Sequence, residues 1–272
     1  MPQNNPNQVT VPDTEVHRLP STFVGQEYEL LIAKPQNYAA STDRYPLLVV
    51  LDANWHFAMV TQLLRTMLFF EDLPQMLVAG IAYPTEVEGD LWALRARDYT
   101  PTEDEGWAAS FTAIYGLPLT QLPRPTGGAP DFLKCMRHEL LPFIDATYRT
   151  DKKNRALAGW SLGGLFTLYA LFNDPDLFNR NLILSPSVWW DNKIILAHEQ
   201  AYAANHARLP ARLFFSVGDN EGAMVPDMKQ IVDQIVGRNY PGLHLTKRIL
   251  ADETHTTVLG SAYSKGILAA FS

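Results

Sequence analysis

One stretch decides how the rest of the chain is interpreted: Arg155-Ala-Leu-Ala-Gly159-Trp160-Ser161-Leu162-Gly163-Gly164. It is followed by the apolar run Leu165-Phe-Thr-Leu-Tyr-Ala-Leu171. The spacing Gly159-x-Ser161-x-Gly163 between two apolar runs predicts a strand, a tight turn and a helix. Glycines suit this turn because the strand and helix backbones approach closely there. Ser161 would then be exposed at a sheet edge as a candidate nucleophile. The alternative is an ordinary glycine-rich turn whose serine only caps the helix.

A serine nucleophile needs a base to take its proton, and in such a fold the order along the chain is serine, acid, histidine. The histidines that follow the serine are His198, His206, His244 and His255. His255 lies in the polar loop Ala251-Asp-Glu-Thr-His255-Thr-Thr-Val, between the last predicted strand and the final predicted helix. We therefore assign His255 as the candidate base.

The acid that orients this histidine is expected after the preceding predicted strand, residues 213–217. The loop there is Gly218-Asp219-Asn220-Glu221-Gly222. Glu221 is the preferred acid because its longer side chain reaches further toward the imidazole. Asp219 is the alternative acid, and a serine–histidine dyad oriented by water or a backbone carbonyl is the alternative to a triad.

Two backbone N–H groups are needed to stabilise the oxyanion of an acyl-transfer reaction. One is expected from Leu162, directly after the nucleophile, and the other from the loop after an earlier strand. That strand is predicted at residues 47–51. We favour the N–H of Asn54 as the second donor, with Ala53 next, and expect Asp52 to hold the loop by hydrogen bonds.

Short apolar runs alternate with helical patterns along most of the chain, which predicts an α/β fold with a mostly parallel central sheet and helices on both faces. The predicted buried strands are residues 47–51, 76–82, 156–158, 182–184, 213–217 and 243–250. The predicted helices are residues 57–70, 131–147, the stretch after Ser161, 193–206, 226–238 and 262–271. An early hairpin, residues 15–18 and Glu27–Ala33, is expected to form an antiparallel N-terminal edge.

No repeat or linker divides residues 1–272, so we expect a single domain in which residues 1–12 form a loose N-terminal arm. Residues 85–129 fit neither the helical nor the strand period, and a loop of that length is typical of a functional segment. They include Trp92, Trp107, Phe111 and Tyr115. We expect a cap or substrate loop over the carboxyl edge of the sheet, where open α/β sheets bind ligands.

The charge and composition exclude several classes of partner. A net charge of −7 argues against nucleic acid. No apolar run approaches the roughly 20 residues that span a bilayer, so no membrane partner is expected. Residues 1–20 lack the features of a secretory signal. We expect a cytoplasmic location, or a secreted or periplasmic one if a signal has been removed.

The sequence offers no site for a metal or cofactor, so none is expected. Cys135 is the single cysteine, which excludes intrachain disulfides, thiolate zinc sites and iron–sulfur clusters. No His-Glu-x-x-His motif is present, and no Gly-x-Gly-x-x-Gly follows a strand. The expected partner is a small-molecule substrate.

Further motifs accompany the nucleophile turn and are typical of one family. They occupy residues 45–52, 97–101, 139–145, 148–150, 159–164, 185–190, 218–221 and 253–255. On these motifs the chain resembles the putative-esterase branch of the α/β-hydrolases, from about Glu27 to Phe271. That branch includes siderophore trilactone esterases, feruloyl esterases, esterase D-like enzymes and mycolyltransferases.

This resemblance implies the α/β-hydrolase fold and a serine carboxylic-ester hydrolase that works through a Ser-His-acid triad and an acyl-enzyme. An acyltransferase on the same machinery is the alternative reaction. Ser-Pro-Ser-x-Trp-Trp at residues 185–190 and Arg-Asp-Tyr-Thr-Pro at residues 97–101 look most like siderophore trilactone esterases. The family pattern supports Ser161 and His255 directly.

The resemblance also directs attention to side chains that would contact the substrate. The predicted substrate-binding residues are Trp160, Trp189, Trp190, Arg97 and Tyr99. Trp189 and Trp190 follow the strand next to the nucleophile strand, and we expect one of them to pack in the core and the other to face the site. Pairing of Arg97 with Asp98, or anchoring of the cap loop, is the alternative role of Arg97. Trp160 stands where the family commonly has His, so the ester preference is expected to differ. Arg95, Arg97 and Arg124 are the candidate cations for a polyanionic catecholate siderophore.

Overall fold

The structure is a computed structural model that describes residues 10–36, 38–85, 87–116 and 124–272, and one sheet organises it. Within these residues the sheet has eight strands: β1 (Thr14–Pro20), β2 (Glu27–Ala33), β3 (Tyr45–Val50), β4 (Leu77–Ala82), β5 (Thr150–Trp160), β6 (Arg180–Leu184), β7 (Arg212–Gly218) and β8 (His244–Leu250). Their order is β1-β2-β4-β3-β5-β6-β7-β8. The pairs β1–β2 and β2–β4 are antiparallel and the others parallel, so the predicted sheet with an antiparallel N-terminal edge is confirmed.

Helices cover both faces of this sheet. They are α1 (Ala53–Met67), α2 (Glu88–Tyr99), α3 (Glu105–Tyr115), α4 (Ala129–Cys135), α5 (Leu141–Thr147), α6 (Leu162–Asn173), α7 (Trp190–Asn205), α8 (Met224–Gly237) and α9 (Leu259–Phe271). α1 and α9 pack together on one face, while α6 packs against α2, α4 and α7 on the other. In the described part of the chain, no helix has the length and apolarity needed to cross a membrane.

The central strands are apolar throughout because both of their faces are covered. In β3, Leu47, Leu48, Val49 and Val50 are all fully buried. Leu47 and Val49 belong to the core under α6, whereas Leu48 and Val50 belong to the core under α1 and α9. Side chains of a strand alternate between the two faces, so a strand buried on both sides needs consecutive apolar residues.

The prediction that residues 85–129 form a loop is wrong in part, because this stretch contains α2 and α3. α2 buries charge as well as apolar surface: Arg95 and Asp98 are at most 1% exposed. A helix that buries charged side chains shows no continuous apolar stripe, so its period is hidden in the sequence. Residues 86 and 117–123 of this stretch, and residues 1–9 of the predicted N-terminal arm, lie outside the described residues.

The turn between β5 and α6 requires glycine for reasons of space. A Cβ placed on Gly159 would lie 2.1 Å from the carbonyl oxygen of Gly163 and 2.7 Å from the hydroxyl of Thr167. Neither the backbone nor the buried threonine can move away without shifting the start of α6. The strand and helix therefore approach as closely as the sequence predicted.

We expect Gly159→Ala to destabilise the protein by about 2–3 kcal/mol, because the added methyl group forces a backbone shift in a packed core. Gly260→Ala is the matched control: nothing lies within 4 Å of a Cβ placed on Gly260. In that control the free energy of unfolding should stay level or rise by up to about 1 kcal/mol. Chemical denaturation of both variants measures the difference, and equal stabilities would contradict the close approach at Gly159.

Candidate active site

Ser161 lies on the tight turn between β5 and α6, with φ of 60° and ψ of −118°. A left-handed backbone is strained for a residue other than glycine, and such strain concentrates at functional sites. The turn is held by the Ser161 N–H, which donates to the Leu184 carbonyl at 3.0 Å. The N–H groups of Leu165 and Ser187 donate to the Ser161 carbonyl, each at 3.0 Å. The turn thus holds the serine at the carboxyl edge of the sheet.

Glu221 and His255 come together across the ends of β7 and β8. The Nδ1 of His255 lies 2.6 Å from Oε2 of Glu221, whose side chain is fully buried. An ionised carboxylate only accepts hydrogen bonds, so Nδ1 carries the hydrogen and Nε2 is left to accept a proton. The Ser161 hydroxyl lies 3.4 Å from Oγ of Ser187, and among the described residues it forms no hydrogen bond with His255.

The remaining oxygen of Glu221 has two donors of its own. The Ser185 hydroxyl donates to Oε1 at 2.7 Å, and the Gly218 N–H donates to the same oxygen at 2.6 Å. Burial raises the pKa of Glu221, but the hydrogen bonds from His255, Ser185 and Gly218 outweigh it and hold the pKa below its ordinary value. The carboxyl group therefore stays ionised at neutral pH beside the imidazole.

Asp219 has a different role from Glu221. Its Oδ1 accepts the N–H of Glu253 at 3.3 Å, and its own N–H donates to the Leu250 carbonyl at 2.9 Å. These bonds connect the loop after β7 to the loop that carries the histidine. Of the two predicted acids, the structure brings Glu221 and not Asp219 to the imidazole.

Ser185 is a site residue that the analysis of the acid missed. Its backbone has φ of 41°, a strained value, and its side chain is buried. The strain turns the hydroxyl toward Glu221 directly after β6 ends. The available signal was the Ser-Pro-Ser motif at residues 185–187, which we used only for the family resemblance.

Trp160 restrains the histidine from a second side. Its indole ring faces the His255 ring at a centroid distance of 4.4 Å and an angle of 31°. Its Nε1 donates to the His255 backbone carbonyl at 2.9 Å. Since Trp160 directly precedes Ser161 in the chain, these contacts tie the histidine loop to the turn that carries the serine.

The two predicted oxyanion donors lie at the start of helices that follow adjacent strands. Leu162 begins α6 after β5, and Asn54 is in the first turn of α1 after β3. N–H groups in the first turn of a helix have no partner within that helix, so they point outward at the carboxyl edge. The Asn54 side chain fixes its loop by exchanging two hydrogen bonds of 2.9 Å with the backbone of Tyr83.

A buried ion pair lies beneath this loop. Arg95 donates from Nε to Oδ1 of Asp52 at 2.8 Å and from Nη2 to Oδ2 at 3.0 Å. Both side chains are 1% exposed, and Nη2 also reaches the Trp160 carbonyl at 3.5 Å. The predicted role of Arg95 as a cation for an anionic substrate is not supported, because its guanidinium group is buried and paired with Asp52.

Three of the predicted substrate-binding residues differ in their exposure to solvent. Trp189 is 37% exposed, whereas Trp190 and Tyr99 are fully buried. Trp190 donates to the Thr102 hydroxyl at 3.1 Å, and the Tyr99 hydroxyl accepts the N–H of Asp52 at 3.1 Å. Trp190 is therefore the tryptophan that packs in the core, and Tyr99 supports the site from within. The burial of Tyr99 does not support its predicted contact with the substrate.

The predicted cations at residues 97 and 124 are also engaged elsewhere. Arg97 donates to Asp98 at 2.7 Å and to Gln26 at 2.7 Å. It lines a separate cavity of about 160 Å³ together with Phe23, Val24, Asp98, Arg124, Gly128 and Asp131. Arg124 is paired with Glu103 and Asp131. The prediction that Arg97 contacts the substrate is thus not supported by its position.

The aromatic residues of the stretch 85–129 extend from the site through α2 and α3. Ring centroids lie 5.3 Å apart for Trp55 and Trp92, and 5.5 Å apart for Trp92 and Phe111. Trp107 contacts Phe111 at 5.1 Å and Trp190 at 4.9 Å. The side chain of Tyr115 lies outside the described part of the structure. α2 thus places Trp92 beside Trp55, which directly follows the predicted oxyanion donor Asn54.

Among the residues within the described ranges, no group of three or more His, Cys, Asp or Glu side chains could hold a metal ion. Cys135 is buried, and burial raises the pKa of its thiol to about 12.

Comparison with known proteins agrees with this fold. Residues 21–239 match the family described as "Putative esterase". Ferri-bacillibactin esterase BesA of Bacillus subtilis (strain 168) is 27% identical over 274 residues, which cover 96% of this chain and 90% of that protein. The crystal structure of the BES protein from Bacillus cereus has 28% identity and a TM-score of 0.81, covering 97% of this chain and 98% of that one. An IroE-like serine hydrolase from Shewanella oneidensis has 27% identity and a TM-score of 0.79, covering 93% of this chain and 78% of that one. The chain therefore belongs to the "Putative esterase" family and is a serine carboxylic-ester hydrolase with the α/β-hydrolase fold.

Proposed function

We propose that this enzyme hydrolyses the ester bonds of a siderophore through an acyl-enzyme on Ser161, with His255 as the base and Glu221 as the orienting acid. The observation that carries the mechanism is the 2.6 Å contact between His255 and the buried Glu221 at the sheet edge where Ser161 lies. Only one ring nitrogen of His255 is used by this contact. The other is left for proton transfer.

In the proposed reaction, Oγ of Ser161 attacks the ester carbonyl carbon while Nε2 of His255 takes the hydroxyl proton. The carbon–oxygen bond to the alcohol then breaks, and His255 gives that proton to the leaving oxygen. Water attacks the acyl-enzyme with His255 again as base, which releases the acid and restores Ser161. Glu221 keeps its charge throughout and stabilises the imidazolium.

The oxyanion formed in both steps would be held by the N–H groups of Leu162 and Asn54. Each belongs to the start of a helix, where the helix dipole also favours negative charge. The guanidinium group of Arg95, which is paired with Asp52, also donates to the Trp160 carbonyl at 3.5 Å, one residue before the nucleophile. Because Asp52 holds Arg95 in place, this contact fixes the nucleophile turn against the loop that carries Asn54.

A siderophore substrate is supported by the names of the similar proteins and by the aromatic surroundings of His255. The test is incubation of the enzyme with a trilactone siderophore, with chromatographic detection of the linear products. A parallel reaction with an added alcohol distinguishes hydrolysis from acyl transfer. Cleavage of p-nitrophenyl esters without any cleavage of the trilactone would show that the natural ester belongs to another class.

We expect Ser161→Ala to remain folded and to lose at least about a thousandfold in kcat, because no acyl-enzyme can form. A fluorophosphonate probe should label the wild-type enzyme at Ser161 and leave this variant unlabelled. Thermal unfolding provides the control for folding. Near-wild-type turnover by the folded variant would exclude the proposed nucleophile.

The two carboxylates of the acid loop should differ in their effect on the rate. Glu221→Gln removes the charge that orients and stabilises the His255 ring, so kcat should fall, though less than in Ser161→Ala. Asp219→Asn is the matched control, since Asp219 contacts a backbone N–H and not the imidazole. Its kcat should stay close to that of the wild type. A larger loss for Asp219→Asn would reverse the assignment, and no loss for either variant would indicate a dyad.

Trp160 should act on the rate through the position of His255. Trp160→Leu removes both the ring contact and the N–H donor, and we expect kcat to fall by about 10²-fold because the base loses its alignment. Trp160→Phe keeps a ring against the imidazole and should recover part of this loss. Labelling of Ser161 by a small fluorophosphonate should follow the same order. An increase in KM alone, with kcat and labelling unchanged, would show that Trp160 only lines the pocket.

A further inference from the structure

We propose that a cavity at the edge of the sheet opposite the catalytic groups binds a small uncharged alcohol or phenol. The apolar walls of this amino-edge cavity would hold the hydrocarbon part, and two buried polar atoms, on Thr61 and Gln75, would bind the hydroxyl group. The site uses none of the proposed catalytic residues, so the inference does not depend on the proposed function.

The amino-edge cavity lies between the second half of α1 and the ends of two strands. Ala33, the last residue of β2, pairs with Val78 near the start of β4, and both line the cavity. α1 begins at the carboxyl edge, after β3, and its 15 residues run back for about 22 Å toward the amino edge. The first residue of α1 that lines the cavity is Thr61, about 12 Å along the helix. A molecule bound there is therefore remote from Ser161.

The size and lining of the cavity suit a small apolar molecule. The cavity measures about 150 Å³, and apolar cavities of about this size bind molecules as large as benzene. Its apolar walls are formed by Ala33, Leu64, Leu68, Phe69, Met76 and Val78. Phe69 is 73% exposed, so it marks the side on which the cavity opens to solvent.

The hydroxyl of Thr61 has no hydrogen-bond partner within the described part of the chain, although Thr61 is only 1% exposed and lines the cavity. A threonine inside a helix can donate to the carbonyl four residues earlier. Thr66 in α1 does so, with its hydroxyl 3.0 Å from the Gln62 carbonyl. The Thr61 hydroxyl makes no such bond, so it remains available to a molecule in the cavity.

Gln75 provides a second polar atom of the same kind. Its Oε1 is buried, has no hydrogen-bond partner among the residues that the structure describes, and belongs to another wall of the cavity. An amide oxygen only accepts hydrogen bonds, whereas the Thr61 hydroxyl can also donate. One ligand hydroxyl can therefore donate to Gln75 and accept from Thr61. Because buried polar groups without partners are costly, a ligand that satisfies them gains affinity over an apolar one.

The charged residues of the lining are engaged with other groups. Nζ of Lys34 lies 2.9 Å from a carboxylate oxygen of Glu15, and Nη2 of Arg65 donates to the Pro12 carbonyl at 2.6 Å. An ionised carboxylate in the cavity would only accept hydrogen bonds, so it would leave Oε1 of Gln75 without a donor. It would also lose its hydration on entering apolar walls. The lining therefore favours an uncharged hydroxyl compound over an anion.

The first experiment titrates the protein with three single-ring compounds, phenol, toluene and benzoate, by isothermal titration calorimetry. Phenol and toluene have the same number of non-hydrogen atoms and differ in one hydroxyl or methyl group. We expect phenol to bind with a Kd of about 1 mM or lower, and about tenfold more tightly than toluene. No binding of phenol, equal affinity for toluene, or tighter binding of benzoate would overturn the inference.

Substitutions in the lining test where phenol binds. Thr61→Val keeps the shape of the side chain and removes the hydroxyl, so the affinity for phenol should fall by about five- to tenfold while that for toluene stays level or rises. Gln75→Leu should act in the same direction from the other wall. Thr66→Val is the matched control, since Thr66 lies on α1 but is exposed and does not line the cavity. Its affinity for phenol should equal that of the wild type.

Ester hydrolysis separates this site from the catalytic one. All three variants should keep the kcat of the wild type, because none of the substituted residues touches the proposed triad or its loops. If Thr61→Val and Gln75→Leu bind phenol as tightly as Thr66→Val does, phenol binds elsewhere and the inference fails. That result would leave the proposed function untouched, since the function is tested by Ser161→Ala.

Discussion

The buried ion pair of Asp52 and Arg95 joins the segments that meet at the catalytic edge. Asp52 precedes α1 with a left-handed backbone, φ of 54°, and a Cβ on Gly163 would lie 3.3 Å from its Oδ2. Arg95 belongs to α2 and reaches the Trp160 carbonyl. Breaking a buried pair by removing one partner typically costs about 3–5 kcal/mol, since the other charge is left uncompensated. One shared interaction therefore holds α2, the nucleophile turn and the loop that carries the proposed oxyanion donor Asn54.

The proposed acid and base depend on a second close approach, where β7 and β8 end side by side. A Cβ on Gly218 would lie 2.3 Å from the Glu253 carbonyl oxygen, and the Asn220 N–H donates to that oxygen at 3.1 Å. The parallel pairing of these strands thus brings two loops together that are more than thirty residues apart in the chain. Glu221 then reaches His255 from a short, well-bonded loop.

Much of this protein follows from local properties of the sequence. The nucleophile turn was predictable because it needs small residues at positions where backbones touch, as at Gly159. The sheet was predictable because strands buried on both faces must be continuously apolar. The position of His255 was predictable from chain order. Loops that follow parallel strands meet at one edge of the sheet, so the polar loop with His255 after the last strand is expected at the same edge as Ser161.

Only the tertiary structure decided which side chains meet. Tyr99 and Arg97 lie two residues apart in one helix. Tyr99 accepts the N–H of Asp52 and so supports the loop before α1, whereas Arg97 lines a separate cavity. α2 itself was hidden because its buried Arg95 is paired with Asp52, which lies far away in the sequence, so no local pattern records the pair. Asp219 and Glu221 share one loop, and the pairing of β7 with β8 determines which carboxylate faces the imidazole. Contacts between residues distant in sequence are a property of packing, so the sequence named the candidates and the fold selected among them.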